Sequence, residues 1–564
     1  MSAAAPADAA PFRIGVIALL TAAVMAPVGL IVYQSLLDGV FFDASASFGL
    51  DAFDYVVSDP DFWAALWTTT VFSFGLVAVA TPLGAALAFL FTRTDLPGRR
   101  WLEPLVLVPM FISSIVLAFG YTVAVGPSGF VSLWVKGLIG HVPWSIYGLP
   151  GLIVIGGLSH VPYVYLYLSS AMRALPSDLE EAARTTGAPV WRVALDVTLP
   201  LVLPALVFSM ALNLLLGFES FGLPLVLGDP SGLTVLTTYI YKLTTLLGTP
   251  SYHLMAAVCV VLLAITLPLV WLQRRLLARA RRFATVGGKG ARATPLPLGR
   301  VGKAVALSAI VAWLLVSVGL PVGGIALRAF VRSWGEGVDL WAQLTPANFV
   351  QLASVQALAR GIVNTALIAT LGGAVAVLAY LLVALANHRW NSRVGGTVLD
   401  YLVLLPRALP GLVIGLAFFW VFLFVPFLTP LRPTLFSLLI AYIVVGLSYG
   451  LRLIQATLLQ VAPELEESAR TTGATIGQTW RGVVVPIIRP GLVGAWVLIM
   501  VIFLREYATG VYLMGAGTEV IGSLIVSLLA SGAIDLIAAL SFISVVLTAV
   551  GLAAALRLGA KIHG

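Results

Sequence analysis

Apolar residues run along this chain in long stretches, and polar residues collect between them. A helix rises about 1.5 Å per residue, so a stretch of about 20 apolar residues crosses the hydrocarbon core of a bilayer. The pattern predicts crossings near 14–36, 64–91, 105–126, 149–172, 201–227 and 253–273. It predicts six more near 304–328, 362–386, 400–424, 434–454, 487–513 and 534–557. The expected fold class is therefore an all-α polytopic membrane protein with about twelve transmembrane helices in two sets of six. Ala44-Ser45-Ala46 resembles a signal-peptidase site, but the apolar stretch before it is too long and only Arg13 precedes it, so a retained anchor is expected.

Composition sharpens the picture. With 60% hydrophobic and 10% charged residues, a soluble core cannot hold the apolar surface. The single cysteine, Cys259, lies in an apolar run, which excludes intramolecular disulfides and thiolate clusters. The formal charge of +8 is a matter of topology, not of nucleic-acid binding, because it is unevenly placed. Arg274 to Lys303 carries nine Lys or Arg and no acid, and Asp38 to Asp61 carries six Asp and no base. The positive-inside rule puts the first segment in the cytoplasm, beside anionic lipid, and the second outside. Arg93, Arg99, Arg100, Arg389 and Arg393 mark further loops on the cytoplasmic face, where both termini are also expected.

One polar segment occurs twice. Leu179-Glu180-Glu181-Ala182-Ala183-Arg184-Thr185-Thr186-Gly187-Ala188 returns as Leu465-Glu466-Glu467-Ser468-Ala469-Arg470-Thr471-Thr472-Gly473-Ala474. The match continues at identical spacing through Val197, Leu199 and Pro200 in one copy and Val483, Val485 and Pro486 in the other. With six crossings per half, both copies fall on the same, cytoplasmic, face. The chain divides into a first transmembrane domain at 1–273, a basic linker at 274–303 and a second transmembrane domain at 304–564. Within the loop, Ser177 or Asp178 can cap a short helix, and Asp178, Glu180 and Glu181 sit near its positive end. Gly187 stands where a helix stops in a left-handed turn, Pro189 can open the next one, and Pro200 marks the return to the bilayer.

This duplicated loop resembles the one by which the membrane subunits of ABC importers, the binding-protein-dependent permeases, grip their ATPases. A surface helix copied by gene duplication would explain the similarity, but not why the loop stayed nearly identical while the spans around it diverged. Carried over by the resemblance, Glu180, Glu181, Ala182, Ala183 and Gly187 are expected to form one coupling element. Glu466, Glu467, Ser468, Ala469 and Gly473 form the second, with Ser468 in place of the usual alanine and Val485 in place of the usual leucine. No Gly-x-x-x-x-Gly-Lys-Ser/Thr loop is present, since Gly288-Lys289 lacks the spacing and the hydroxyl. ATP and Mg are therefore expected in a separate, homodimeric ATPase, with no cofactor, metal or catalytic residue in this chain.

Ionisable residues inside spans are costly, by about 2.5–3.5 kcal/mol on insertion scales, and so call for a reason. Glu219 and Glu506 occupy equivalent places in the fifth spans of the two halves, aligned by Gly228 and Gly515. They either face a central pathway, favouring a cationic solute or holding a gate, or are satisfied locally, Glu506 by Arg505. His160, its counterpart Tyr449, Asn364 and Arg407 are further pathway candidates, against the plainer role of a helix-to-helix hydrogen bond. The prolines and glycines of Leu405-Pro406-Arg407-Ala408-Leu409-Pro410-Gly411 predict a broken or kinked span.

A secondary transporter also fits twelve spans, and Thr92 to Arg100 faintly resembles a loop of the major facilitator class, but it lacks the arginine after Asp95. An intramembrane enzyme finds no nucleophile, base or metal cluster. The fused double layout, with Leu405 to Gly411 and Phe221-Gly222-Leu223-Pro224-Leu225-Val226-Leu227-Gly228, resembles the ferric-iron permeases. Thiamine, polyamine and aminoethylphosphonate permeases are related. The resemblance implies a type I importer fold in the bacterial inner membrane, with five core helices per half and a first helix wrapping the partner half. It also implies a periplasmic or lipid-anchored substrate-binding protein, and alternating access driven by ATP.

Overall fold

The structure is a computed structural model that describes residues 10–40, 43, 45–175, 178–245, 250–283, 295–389 and 393–557. Ser177, residues 284–294 of the basic linker and both chain ends lie outside these. Among the described residues, eleven helices are long and apolar enough to cross a membrane, and twelve if the one bent pair is counted as a span. In chain order the spans are Pro11–Ser35, Pro60–Arg93, Ser114–Ile139, Leu149–Ala174, Val190–Phe218 and Tyr252–Leu276. The second set is Gly299–Ala329, Gln356–Asn387, the pair Gly395–Ala408 with Gly411–Phe424, Leu435–Leu458, Ile476–Arg505 and Ile534–Ala554.

Four spans depart from the unbroken helices that their apolar runs predict. The stretch 201–227 ends as a helix at Phe218 and resumes only at Gly222–Leu227. The stretch 487–513 ends at Arg505 and resumes at Gly510–Leu513. Residues 105–126 divide into Arg99–Val106, Val108–Phe111 and Ser114–Val125. The ninth span turns by 109° at Leu409-Pro410, the break that its prolines predict. Three of the breaks have a proline to explain them. Pro224 has no N–H for Ser220 O, and the Thr237 hydroxyl donates to that freed carbonyl instead (2.5 Å). Pro410 likewise cannot donate to Pro406 O, and Leu409 before it is extended (φ −103°, ψ 122°). In the first half, Pro109 opens Val108–Phe111 and accounts for the break before it, at Leu107.

The chain folds as two compact units that do not follow the two tandem segments of the sequence. One unit contains Phe53–Ser251 and Val261–Asn348, and so holds the seventh span. The other contains the described residues up to Ala52, Tyr252–Val260 and the chain from Phe349 on, and so holds the first span. Thus the first span of each sequence half packs within the unit built mainly from the other half.

In the former unit, the second span lies along the fourth, and the helix Ser114–Val125 lies against Leu320–Ala329 of the seventh span. That approach is close enough to require glycine: a Cβ on Gly120 would come within 2.6 Å of Pro321 O. A π-helical turn at Leu315–Gly319 belongs to the same contact, where the buried Tyr121 hydroxyl donates to Val316 O (3.0 Å). In the latter unit, the first span packs on Gly411–Phe424 and on Gly373–Asn387 of the eighth. The first and seventh spans are only 22% and 28% buried, against 61% for the third and tenth, so the two exchanged spans are the least buried of the described spans.

Candidate functional site

The two copies of the repeated loop fold alike. Each is a short helix, Asp178–Thr185 or Pro463–Thr471, which ends at a glycine in the left-handed region. Gly187 has φ +86° and Gly473 φ +91°. In the first copy the Gly187 N–H donates to Arg184 O (2.9 Å) and the Ala188 N–H to Ala183 O (3.1 Å). In the second the Gly473 N–H donates to Arg470 O (3.0 Å) and the Ala474 N–H to Ala469 O (3.1 Å). These are the two bonds of a Schellman stop, which satisfy carbonyls that a helix end leaves open. The bend leads to a second short helix, which opens after Pro189 in one copy and behind a Thr475–Gln478 capping box in the other. A π-helical turn follows, Val193–Thr198 or Trp480–Val484, and runs into the next span around Pro200 or Pro486. Both prolines lack the N–H that an α-helical turn would use there.

The paired glutamates of each loop divide their duties. Glu181 and Glu467 are exposed, as are Ala182, Gly187, Ser468 and Gly473, while Ala183 and Ala469 are half-buried. Glu180 and Glu466 are buried. Glu180 accepts from the Thr198 hydroxyl (2.7 Å), and its Oε1 lies 3.3 Å from Arg93 Nε. Arg93 also donates to Met172 O (2.6 Å) and Leu175 O (3.1 Å), at the end of the fourth span. Glu466 accepts from Arg389 Nε (2.8 Å) and from His388 Nε2 (2.9 Å), and Arg389 also donates to Val461 O (3.2 Å). Val461 occupies the place that Leu175 holds in the first copy. Burial pushes the Glu466 carboxyl up, but hydrogen bonds from His388 and Arg389, with their charges, outweigh it and hold it below the usual carboxylate range.

Sequence reading takes Arg93 and Arg389 for topology markers and misses this anchoring role. The signal was present: Arg93 ends the second span and Arg389 stands just beyond the eighth, its counterpart in the other half.

The intramembrane candidates fall into separate places. Glu219 caps the helix end at the break of the fifth span and belongs to one compact unit, whereas Glu506 belongs to the other. Glu506 is itself extended (ψ 127°), and its Oε1 accepts from the Thr509 N–H (3.0 Å) and hydroxyl (2.9 Å). It therefore caps the turn beyond the break in the eleventh span, which has no proline to explain it. Its backbone carbonyl takes the Tyr442 hydroxyl (3.3 Å). Arg407 and Tyr449 come together, the guanidinium 5.5 Å from the ring centroid. His160 Nδ1 is 2.8 Å from Gly156 O in its own helix, and its ring lies 5.6 Å from Tyr163. Asn364 donates to Gly517 O (3.1 Å) and Glu519 O (2.9 Å), beside a two-pronged Arg360–Glu519 ion pair (3.0 and 3.1 Å). Asn364 therefore ties down the chain beyond the eleventh span.

The family of binding-protein-dependent transport system inner membrane components matches this chain twice, at residues 80–282 and 376–563. A probable ABC transporter permease protein, y4fN, of Sinorhizobium fredii is 27% identical over 450 residues, covering 76% of this chain and 75% of that protein. A putative ferric transport system permease protein, FbpB 1, of Haemophilus influenzae is 24% identical over 461 residues, covering 80% and 71%. A solved bacterial alginate ABC transporter, in complex with an alginate pentasaccharide-bound periplasmic protein, is 22% identical, with a TM-score of 0.35 over 43% of this chain and 85% of that one.

Proposed function

This chain belongs to the family of binding-protein-dependent transport system inner membrane components, and from that premise we propose that it is the fused permease of an importer that brings ferric iron across the bacterial inner membrane. The observation that carries the transport reading is the duplicated loop. Two copies keep the same helix, the same left-handed glycine and the same division into a buried and an exposed glutamate. An exposed, rigidly stopped helix makes a docking element for a partner. Glu181, Ala182, Ala183 and Gly187 in one loop, with Glu467, Ser468, Ala469 and Gly473 in the other, offer two such elements to the two halves of an ATPase dimer. That partner binds ATP and Mg. Closure of the dimer draws the loops together and opens the pathway outward, toward a periplasmic or lipid-anchored binding protein. Release of hydrolysis products resets it, and both termini stay in the cytoplasm.

Iron as the cargo is favoured by the relative named as a ferric transport system permease. Selectivity for the cargo is assigned to the binding protein. Glu219, Glu506, His160, Tyr449 and Arg407 are assigned to the pathway. The spans of Glu219, Glu506 and Arg407 break at or beside these residues, and broken helices inside a membrane are tolerated where they line a cavity or pack in protein. The test is uptake of radioactive ferric iron by iron-starved cells with the gene intact, deleted or restored, in a strain without other iron importers. Uptake should fall on deletion and return with the gene. Unchanged uptake would move the search to thiamine, polyamines and phosphonates.

A further inference from the structure

Docking explains the exposed side of each loop, but not what lies behind it. Behind the first loop, Arg93 fastens three elements: its own span, the carbonyls at the end of the fourth span, and Glu180 of the loop helix. The backbone beside Arg93 is joined to a fourth. The Leu296 N–H donates to Arg93 O (2.8 Å), the Asp95 N–H to Leu296 O (3.2 Å), and the Leu298 N–H to Asp95 Oδ1 (3.0 Å). Lys303 Nζ sits 2.7 Å from Asp95. Leu296 to Lys303 is the entry to the seventh span, one of the two exchanged helices.

The second loop repeats this wiring with different residues. Arg389 and His388, just beyond the eighth span, hold Glu466, and Arg389 reaches Val461 O. Here the exchanged helix is the first span, and it is joined through Arg13. Its Nε donates to Ala386 O (3.2 Å) and a terminal nitrogen to His388 O (3.4 Å). Phe12 adds a ring contact with Trp480 of the second loop (5.5 Å). Duplication copies residues, so different residues that join the same elements point to the connection itself as the thing retained. Arg93 is almost fully buried, and removing one partner from such a pair leaves a charge without compensation, so the joined parts do not separate readily.

We propose that each node is a mechanical junction. The loop helix, the end of the second or eighth span, and the exchanged seventh or first span move as one body when a partner displaces the loop. Arg93, Asp95 and Lys303 are the positioning residues of one junction, and Arg389, His388 and Arg13 those of the other. The exchange of first spans thereby carries a push on one loop into a helix from the opposite half of the sequence. This rests on the reading of the loops as docking elements.

Amide exchange in nanodiscs tests it, on the full chain alone and with the ATPase that co-purifies from its own membranes. In the wild type, ATP with vanadate should change exchange at both loops and in the first turns of the first and seventh spans. Arg13→Gln should abolish the response over residues 11–17 while the loop at 463–474 and the entry of the seventh span still respond. Asp95→Asn with Lys303→Gln should do the converse. A first span that responds normally in Arg13→Gln, or exchanged spans that never respond in the wild type, would overturn the junction. If no ATPase co-purifies, the docking reading fails, and the junction is decided on the chain alone. There, Arg389→Gln should speed exchange over both 463–474 and 11–17 by about tenfold or more, since a hydrogen bond to a charged group is worth at least one such step. Exchange that stays unchanged at 11–17 would overturn it. Should that variant not fold, Arg389→Lys keeps the charge without the two-pronged geometry and should give a smaller effect in the same direction.

Discussion

At the residue scale, neighbouring glutamates of identical sequence context have opposite fates, and burial decides between them. Glu180 faces a guanidinium that is about as buried as itself, whereas Glu181 faces outward. Glu180→Ala should destabilise the protein by about 3–5 kcal/mol, because Arg93 is left charged and buried. Thermal unfolding in detergent measures this. Glu181→Ala with Glu467→Ala should shift unfolding by no more than about 0.5 kcal/mol per site, as exposed substitutions do, yet lower transport in uptake assays. Acid should act on Glu466 in a defined direction. Its folded pKa is depressed, so its stabilisation is complete above the ordinary glutamate value of about 4.3 and is lost as pH falls through the lower folded value. Amide exchange over residues 463–474, corrected for intrinsic rate, should therefore rise as pH falls below the ordinary glutamate value of about 4.3.

At the scale of elements, the loop was the most legible part of the sequence. Its glycine, its proline and its repeated spacing announce a stopped helix and a bend, and the structure has both. No atom crowds the space where a Cβ of Gly187 or Gly473 would lie, so the requirement there is backbone conformation alone. Gly187→Ala should cost about 1–2 kcal/mol locally, and Gly187→Asn less, read as exchange over residues 178–188. The broken spans were only partly legible. Proline announced the bend at Arg407, but hydropathy alone ran through Glu219 and Glu506, because a window of apolar residues does not register a helix that stops and restarts. The eleventh span breaks through a side chain, Glu506, that caps the next turn, a signal only two polar residues long. Glu506→Gln keeps an acceptor for Thr509 and should unfold like the wild type, whereas Glu506→Ala should lose about 0.5–2 kcal/mol. If the acid also serves the pathway, Glu506→Gln will lower uptake without changing unfolding. Glu219→Gln should likewise impair uptake without releasing the ATPase.

At the scale of the molecule, twelve crossings and a tandem repeat could be read from the chain, but its packing partners could not. Hydropathy shows that the first and seventh stretches are apolar. It does not show that each packs in the unit built mainly from the other half, which depends on Gly120 meeting the backbone of Pro321 and on Arg13 meeting that of Ala386. Cutting the chain within residues 284–294 separates each exchanged span from the unit in which it packs. Either half expressed alone should be degraded, and the two expressed together should accumulate as a pair, measured by the yield of each half in purified membranes. The central claim, that two exposed loops grip a separate ATPase, is tested most directly by capture. Tagged protein purified from its own membranes should bring down a nucleotide-hydrolysing subunit, and Glu181→Ala with Glu467→Ala should lose most of that subunit while the permease is recovered in normal amount. Equal capture by the correctly inserted double variant would contradict the account.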